Sequence, residues 1–300
     1  MGNVTIRKGS KGLDVSLCQH LLTKKGIQTS ADSDYGPSTE RKVKEFQKTN
    51  GLVSDGIVGE KSWNSLLEFA DDKKHIVHNG KILPIKWDKV VLWTESDGLI
   101  IKSGKYYNND YIKKDRTPTM FVNHWDVCLS AESCANVLNR RNVSVHFCLD
   151  NDGTIYQLLD TQHGAWHCGN RYGNKNGIGV EISNAYYLKY QTRYEKEGFG
   201  SRPIQNNGVV HGRTLDPFTW FYPAQIEALK SLWAAISDGV GIPLTFPKND
   251  DGSANTSIHE ECVNGKFEGF CNHYNFTNRK IDCAGLDMQK LLKEAEGCCC

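Results

Sequence analysis

The opening quarter of the chain sets apolar residues among polar ones at helical spacing and breaks twice at glycine-bearing turns. Leu13, Val15, Leu17, Leu21 and Leu22 form one such segment, and Val43, Phe46 and Leu52 form a second. The first is followed by Asp34-Tyr35-Gly36-Pro37-Ser38-Thr39. The second is followed by Asp55-Gly56-Ile57-Val58-Gly59-Glu60-Lys61-Ser62-Trp63. The glycines suit positive backbone angles, and the Ser or Thr behind each is placed to cap the next helix. Residues 5 to 68 therefore read as a small helical module with an imperfect internal repeat.

From residue 70 the pattern changes. Ala70-Asp71-Asp72-Lys73-Lys74 reads as a charged linker, and Ile82-Leu83-Pro84-Ile85 and Val90-Val91-Leu92-Trp93 as short strands in a bridging segment, 70–116, that offers no chemistry. Phe121-Val122-Asn123-His124-Trp125 is a buried strand ending in a polar pair. Val143–Leu149 and Thr154–Leu159 flank Asn151-Asp152-Gly153, a hairpin signal, and Gly177–Ile182 is a further strand. A helix starts near Pro223, carries Ile226, Leu229, Leu232, Trp233 and Ile236 on one stripe, and is expected to stop before Gly239. Strands interleaved with helices imply an α/β fold with a mixed β-sheet flanked by helices.

A length of 300 residues leaves room for a small core and a large one. The net charge of +1 supplies no global field for nucleic acid or a membrane surface, and the Lys24-Lys25 and Lys113-Lys114 pairs read as solvated faces. No apolar run approaches the roughly 18 residues of a membrane helix. The polar start Met1-Gly2-Asn3-Val4-Thr5 lacks the apolar stretch of a signal peptide, so the protein is expected to stay where it is made until released. The 11 cysteines show no CxxC spacing, which leaves a zinc ribbon unsupported and free thiols the default; the Cys298–Cys300 tail fits no lipidation pattern.

A hydrolytic zinc site needs three protein ligands and an open position for water. His124 at a strand end, with His273 and Asp282 on a late loop, would supply two imidazoles and a carboxylate, although ten histidines make that trio a weak choice by itself. His259-Glu260-Glu261-Cys262 is not an HExxH motif, because Val263 stands at the fifth position, and it reads as loop.

Two resemblances sharpen these readings. Gly9–Leu67, with Gln19, Phe46-Gln47, Gly51-Leu52 and Asp55-Gly56-Ile57-Val58-Gly59, resembles the three-helix peptidoglycan-binding domain of wall hydrolases. His124, His146, Trp166-His167, Gly177-Ile178-Gly179-Val180-Glu181 and His273 through Arg279-Lys280-Ile281-Asp282 occur in an order that resembles the type-2 N-acetylmuramoyl-L-alanine amidases, kin to peptidoglycan recognition proteins. Apparent insertions interrupt the second resemblance near 190–220 and 244–270.

The resemblances imply three parts: a peptidoglycan-binding domain at 1–69, the bridging segment, and a zinc amidase domain at 117–300. Zinc would be held by His124, His273 and Asp282, with Glu181 as general base and Lys280 stabilising the oxyanion. His146, Trp166 and His167 would line the substrate groove or orient a ligand, with a plain core role an equal reading for the two histidines. Where the family usually has Asp-Pro-Gly, this chain has Asp282-Cys283-Ala284-Gly285, which makes Cys283 a rival third ligand. The implied activity is cleavage of the bond between N-acetylmuramic acid and L-alanine by zinc-activated water, as in a phage endolysin. The implied partner is bacterial peptidoglycan, with no nucleic acid, no membrane insertion and a monomeric state. The alternatives are a non-catalytic recognition protein and a cytoplasmic amidase that recycles soluble anhydro-muropeptides.

Overall fold

The computed structural model describes residues 4–68, 74–102 and 116–297. Most of the charged linker, the Lys113-Lys114 pair, the first three residues and the Cys298–Cys300 tail lie outside them.

Three helices open the chain, α1 (Leu13–Lys24), α2 (Pro37–Thr49) and α3 (Glu60–Leu67). The internal repeat is built on two glutamines. Gln19 Nε2 donates to Asp32 Oδ1, the Asp34 carbonyl and Thr39 Oγ1, while its Oε1 accepts from Ser33 N. Gln47 repeats the pattern with Asp55 Oδ1, the Ile57 carbonyl, Ser62 Oγ and Gly56 N. One expectation is corrected here. Gly36 and Gly59 themselves occupy the cap positions, with no side-chain cap bond. Thr39 and Ser62 lie one turn inside their helices, where their hydroxyls serve the glutamines.

A hairpin follows, β1 (Lys74–His78) and β2 (Lys81–Ile85), then β3 (Val90–Leu92), β4 (Met120–Trp125), α4 (Ala131–Arg141), β5 (Phe147–Leu149), β6 (Ile155–Gln157), α5 (Arg171–Asn176) and β7 (Gly177–Ile182). After β7 come α6 (Gln191–Lys196) and four two-residue strands, β8 (Ile204–Gln205), β9 (Val209–Val210), β10 (Arg213–Thr214) and β11 (Phe218–Thr219). The chain closes with α7 (Pro223–Val240), α8 (Glu260–Asn264), β12 (Gly269–Asn272) and α9 (Met288–Glu296).

The main sheet has the order β12-β4-β7-β5-β6-β3 and is mixed: only the β5–β6 hairpin is antiparallel. The main sheet crosses the boundary expected at 116/117, because β3 from the bridging segment forms its edge beside β6. The β1–β2 hairpin is tied in as well. Gln157 exchanges two bonds with the Val77 main chain, and the Asp160 carboxylate accepts from Asn79 N and Gly80 N. A three-residue strand carries no pattern that names its pairing partner.

Alternation along β5 places the helices. Phe147 and Leu149 join the core that includes α7, whereas Cys148 joins a second cluster with Ala131, Cys134, Ala135 and Leu138 of α4. The two helices therefore cover opposite faces. Helix α7 runs on past Gly239 to Val240 and ends at Gly241 in the left-handed region. The expected stop before Gly239 is thus corrected. A Cβ at Gly239 would stand 2.5 Å from Leu83 Cδ1, so this glycine is where α7 closes on β2 rather than where it ends. The segment read as loop at His259–Cys262 instead caps and enters the single-turn helix α8, with His259 at its N-cap. No helix among the described residues is long and apolar enough to cross a membrane.

Candidate metal centre

Three adjacent parallel strands, β12, β4 and β7, end side by side, the edge where open α/β sheets place their ligands. His124 is the penultimate residue of β4 and pairs in register with Glu181 of β7. His273 follows β12 directly, in a 3-10 turn. On β4, Phe121 and Trp125 join the α7-side core and Asn123 accepts from Trp233 of α7. Val122 and His124 therefore face away from α7, towards the side covered by α4 and α5.

Three donor atoms converge there. His124 Nδ1 and His273 Nδ1 are 2.9 Å apart, Asp282 Oδ2 is 2.9 Å from His273 Nδ1, and it is 3.3 Å from His124 Nδ1. All three residues are buried. Donors at tetrahedral zinc distances of about 2.0–2.1 Å stand roughly 3.3 Å from one another. The triangle fits that face, and its make-up, two imidazole nitrogens and a carboxylate oxygen, suits a borderline divalent ion.

The electrostatics agree. Burial pushes the His124 imidazole down to about 4, and His273 beside it adds to the effect. Burial alone would raise the Asp282 carboxyl, but His273 and His124 hold it well below the usual carboxylate range. The resulting state is an ionised carboxylate with His124 neutral, the form in which these groups bind a cation.

An outer layer fixes both rings. His124 Nε2 lies 2.9 Å from His167 Nδ1, and His273 Nε2 lies 3.2 Å from the Cys168 carbonyl. Two consecutive residues thus orient both imidazoles, the arrangement that sets tautomer and aim in metal sites. Gly179 makes room for it: a Cβ there would lie 2.8 Å from His167 Nδ1. Burial, with His124 next in weight, holds the His167 ring well below its ordinary pKa.

The other expected residues separate clearly. Burial first, then the neighbouring Asp126 and Asp282 carboxylates, drives the Glu181 carboxyl well above its ordinary value, and Lys280 opposes this in part. Lys280 is exposed on the loop two residues before Asp282, and its charge is felt by both Glu181 and His124. Trp166 is 39% exposed beside His167. His146 does not line a groove: it is fully buried, Nε2 binds the His163 carbonyl and Nδ1 accepts from Gly179 N, so no polar ring atom is left for a ligand. Cys283 is buried in the apolar core, and the carboxylate of Asp282 is what joins the two histidines.

Sequence reasoning missed the aromatic wall beside the centre. Trp125, next after His124, stacks on Tyr186 at 5.3 Å and 11°. Tyr186, Tyr187, Lys189, Phe218 and Ile281 line a cleft of about 420 Å³ that reaches the residue preceding Asp282. Tyr186 and Tyr187 precede the insertion near 190–220, which adds Leu215, Asp216, Pro217 and Phe218, and none of these residues had a periodicity to mark it.

Comparisons with known proteins follow the same division of the chain. The profile of a family described as N-acetylmuramoyl-L-alanine amidase matches residues 114–282, and that of a peptidoglycan binding domain matches residues 11–66. A zinc D-Ala-D-Ala carboxypeptidase of Streptomyces albus G is 34% identical over 71 residues, which cover 23% of this chain and 28% of that protein. The chain thus spans little more than a quarter of that curated relative. Among solved structures, the Burkholderia AP3 phage endolysin shares 45% identity over 21% of this chain and 24% of that one, at a TM-score of 0.21. The N-acetylmuramoyl-L-alanine amidase LysC of Clostridium intestinale URNW shares 12% identity over 69% of this chain and 97% of that one, at a TM-score of 0.39.

Proposed function

The chain belongs to the N-acetylmuramoyl-L-alanine amidase family, and we propose that it hydrolyses the amide between N-acetylmuramic acid and L-alanine in bacterial peptidoglycan, with zinc held by His124, His273 and Asp282. The observation that carries this reading is the buried convergence of His124 Nδ1, His273 Nδ1 and Asp282 Oδ2, three metal-ligating atoms within 3.3 Å of one another. Such a cluster is costly to bury without a cation.

When bound, zinc supplies a Lewis acid and lowers the pKa of a coordinated water towards about 7. The chain's own residues do the rest. Glu181, beside His124 on the neighbouring strand, takes a proton on its carboxylate and returns it to the departing alanine nitrogen. Burial raises its pKa, which strengthens it as a proton acceptor. Lys280 brings a positive charge to the rim, where the carbonyl oxygen gains negative charge in the transition state. His167 holds the His124 ring in one orientation, and the exposed Trp166 indole offers an apolar face to sugar or peptide.

The N-terminal helices keep the enzyme on the wall, so that a modest affinity for the polymer raises the local substrate concentration. A wall-anchored amidase suits a phage endolysin that is made in the cytoplasm and reaches the wall after release. It acts as a monomer, without nucleic acid or membrane insertion.

Mass spectrometry of the soluble products from purified sacculi, with and without a chelator, tests the reading. Stem peptides with a free N-terminal alanine, lost on chelation and restored by zinc, are expected. Glycan cleavage in place of amide cleavage would overturn the reaction. Absence of product from protein that still pellets with sacculi would favour a recognition protein, and activity confined to soluble anhydro-muropeptides would favour a recycling enzyme.

A further inference from the structure

A second cluster of metal-ligating side chains lies where β4 runs out towards α4. Asp126, Cys128 and Cys134 each bring one donor atom to within 4.8 Å of the others, and they share no residue with the histidine centre. Cys134 and Cys148 lie in one buried cluster with Cys128 packed against it, so a third sulfur backs the pair from β5. Cys134 and Cys148 are buried, and Cys128 is half-buried at the opening.

The segments that carry these donors are held in place. Asp126 Oδ1 accepts from Cys128 N at 2.8 Å and from Asn184 N at 3.0 Å, and Oδ2 accepts from Ser183 Oγ at 3.1 Å. These bonds fix the plane of the carboxylate. The start of α4 is pinned by the reciprocal Ser130–Ser133 capping bonds and by Ala131 N donating to Asp150 Oδ1. Between two of the donors, Val127 sits at φ 54°, a left-handed conformation that costs a β-branched residue energy. Such a conformation persists where its surroundings impose it, and here it turns the chain so that Asp126 and Cys128 face one another.

The geometry points to a second metal site, structural in role, in which Asp126, Cys128 and Cys134 bind a thiophilic divalent cation of the zinc kind and clip the end of β4 to the start of α4. Two thiolates and one carboxylate select such an ion over calcium or magnesium, which take oxygen donors. Binding converts each coordinating thiol to a thiolate with release of its proton to solvent, and no electron is transferred. Because β4 also carries His124, the clip steadies the strand that presents the catalytic metal.

The two sites are distinguishable by their donors, since the histidine centre contains no sulfur. The full-length protein, reduced and stripped with a chelator, is reloaded with cobalt(II) or cadmium(II), and metal content and the thiolate-to-metal charge-transfer absorption are read together. About two ions per chain and a clear thiolate band are expected, with a rise in Tm on loading. Cys128→Ser, at the half-buried opening where folding is least at risk, should lower the content to about one ion and abolish the band. Asp126→Asn should weaken uptake at the same site. His124→Ala should also leave about one ion but keep the band, which separates this proposal from the zinc amidase reading.

Three results would overturn it. One is a single ion per chain with no thiolate band. Another is a band that survives Cys128→Ser and falls with Cys283→Ser. The last is a Cys128–Cys134 disulfide that, once reduced, takes up no metal.

Discussion

Gln19 and Gln47 in the helical module are as deeply buried as His124 and His273 in the catalytic domain, yet the two sets of polar groups are treated in opposite ways. Each glutamine meets complementary partners, its amide donating to three acceptors and its oxygen accepting one backbone N–H. The histidines and Asp282 instead turn three metal-ligating atoms, two nitrogens and a carboxylate oxygen, towards one another. A satisfied buried polar group specifies a fold, whereas a buried cluster of two imidazoles and an ionised carboxylate is best stabilised by a cation. The contrast yields tests in which one region should lose chemistry and the other only stability.

The largest effect is expected at the cluster itself. His273→Ala should remove bound zinc and lower amide cleavage on sacculi by more than ~10³-fold, since the metal contributes several kcal/mol to the transition state. Metal analysis alongside product yield checks this. Retained activity in the zinc-free variant would break the contrast at its root. Next comes Glu181→Gln, for which a loss of about 10²–10⁴-fold in kcat is expected with zinc content unchanged. Loss of zinc together with activity would make Glu181 a support for the metal rather than a proton carrier.

His167→Phe, read by competition with a chromogenic chelator, should weaken zinc binding by about 10–100-fold through loss of the bond to His124 Nε2. Unchanged affinity would mean that the ring merely fills space over Gly179.

How far each region could be read from sequence follows from the same contrast. The helical module was legible because its logic is local: the glutamines, the turn glycines and the hydroxyls recur in order within about 60 residues. Even there the caps were misassigned, because a hydroxyl one turn into a helix and a hydroxyl at its cap look alike in sequence. The mixed sheet, β4, the β5–β6 hairpin and α7 were legible from apolar runs and turn residues. That β3 belongs to the same sheet was not, since its pairing with β6 spans more than 60 residues and leaves no periodic trace. His124, His273 and Asp282 were named through their order in a family pattern and not through spacing. The roles of His167 and the Cys168 carbonyl depend on a loop brought over the strand ends, which no local rule predicts. The Asp126–Cys128–Cys134 cluster was hidden for another reason. Its thiols are separated by five residues across a turn, outside the spacings that mark metal motifs.

The satisfied side of the contrast should respond differently. Gln47→Leu leaves the Gly56 N–H and the Ile57 carbonyl without their side-chain partner, and a loss of about 1–3 kcal/mol of stability is expected. Urea denaturation measures this, while cleavage of a soluble muropeptide at temperatures below unfolding should stay at the wild-type rate. A matched fall in kcat would show that the module reaches into the chemistry.

The smallest effect belongs to a residue that falls between the two cases. Asp14, in the first turn of α1, accepts a bond from Trp93 Nε1 at 3.0 Å across the contact between the helical module and the segment that carries β3. Burial raises its pKa from 3.8 to about 6; the Trp93 bond opposes that shift and Asp160 adds to it. The folded state therefore holds this proton more tightly than the unfolded chain does. The associated stability is complete below pH about 4, falls as pH rises towards 6, and is lost above that. Asp14→Asn keeps an acceptor for the indole and removes the titration. The stability difference between variant and wild type should therefore shift in the variant's favour between pH 4 and 6 and level off above, by about 1 kcal/mol, less than the roughly 3 kcal/mol of a fully desolvated carboxyl because Asp14 is only half-buried. A difference that does not change with pH would mean that water reaches the carboxylate freely, and that the indole bond is not a buried tie between the module and the sheet.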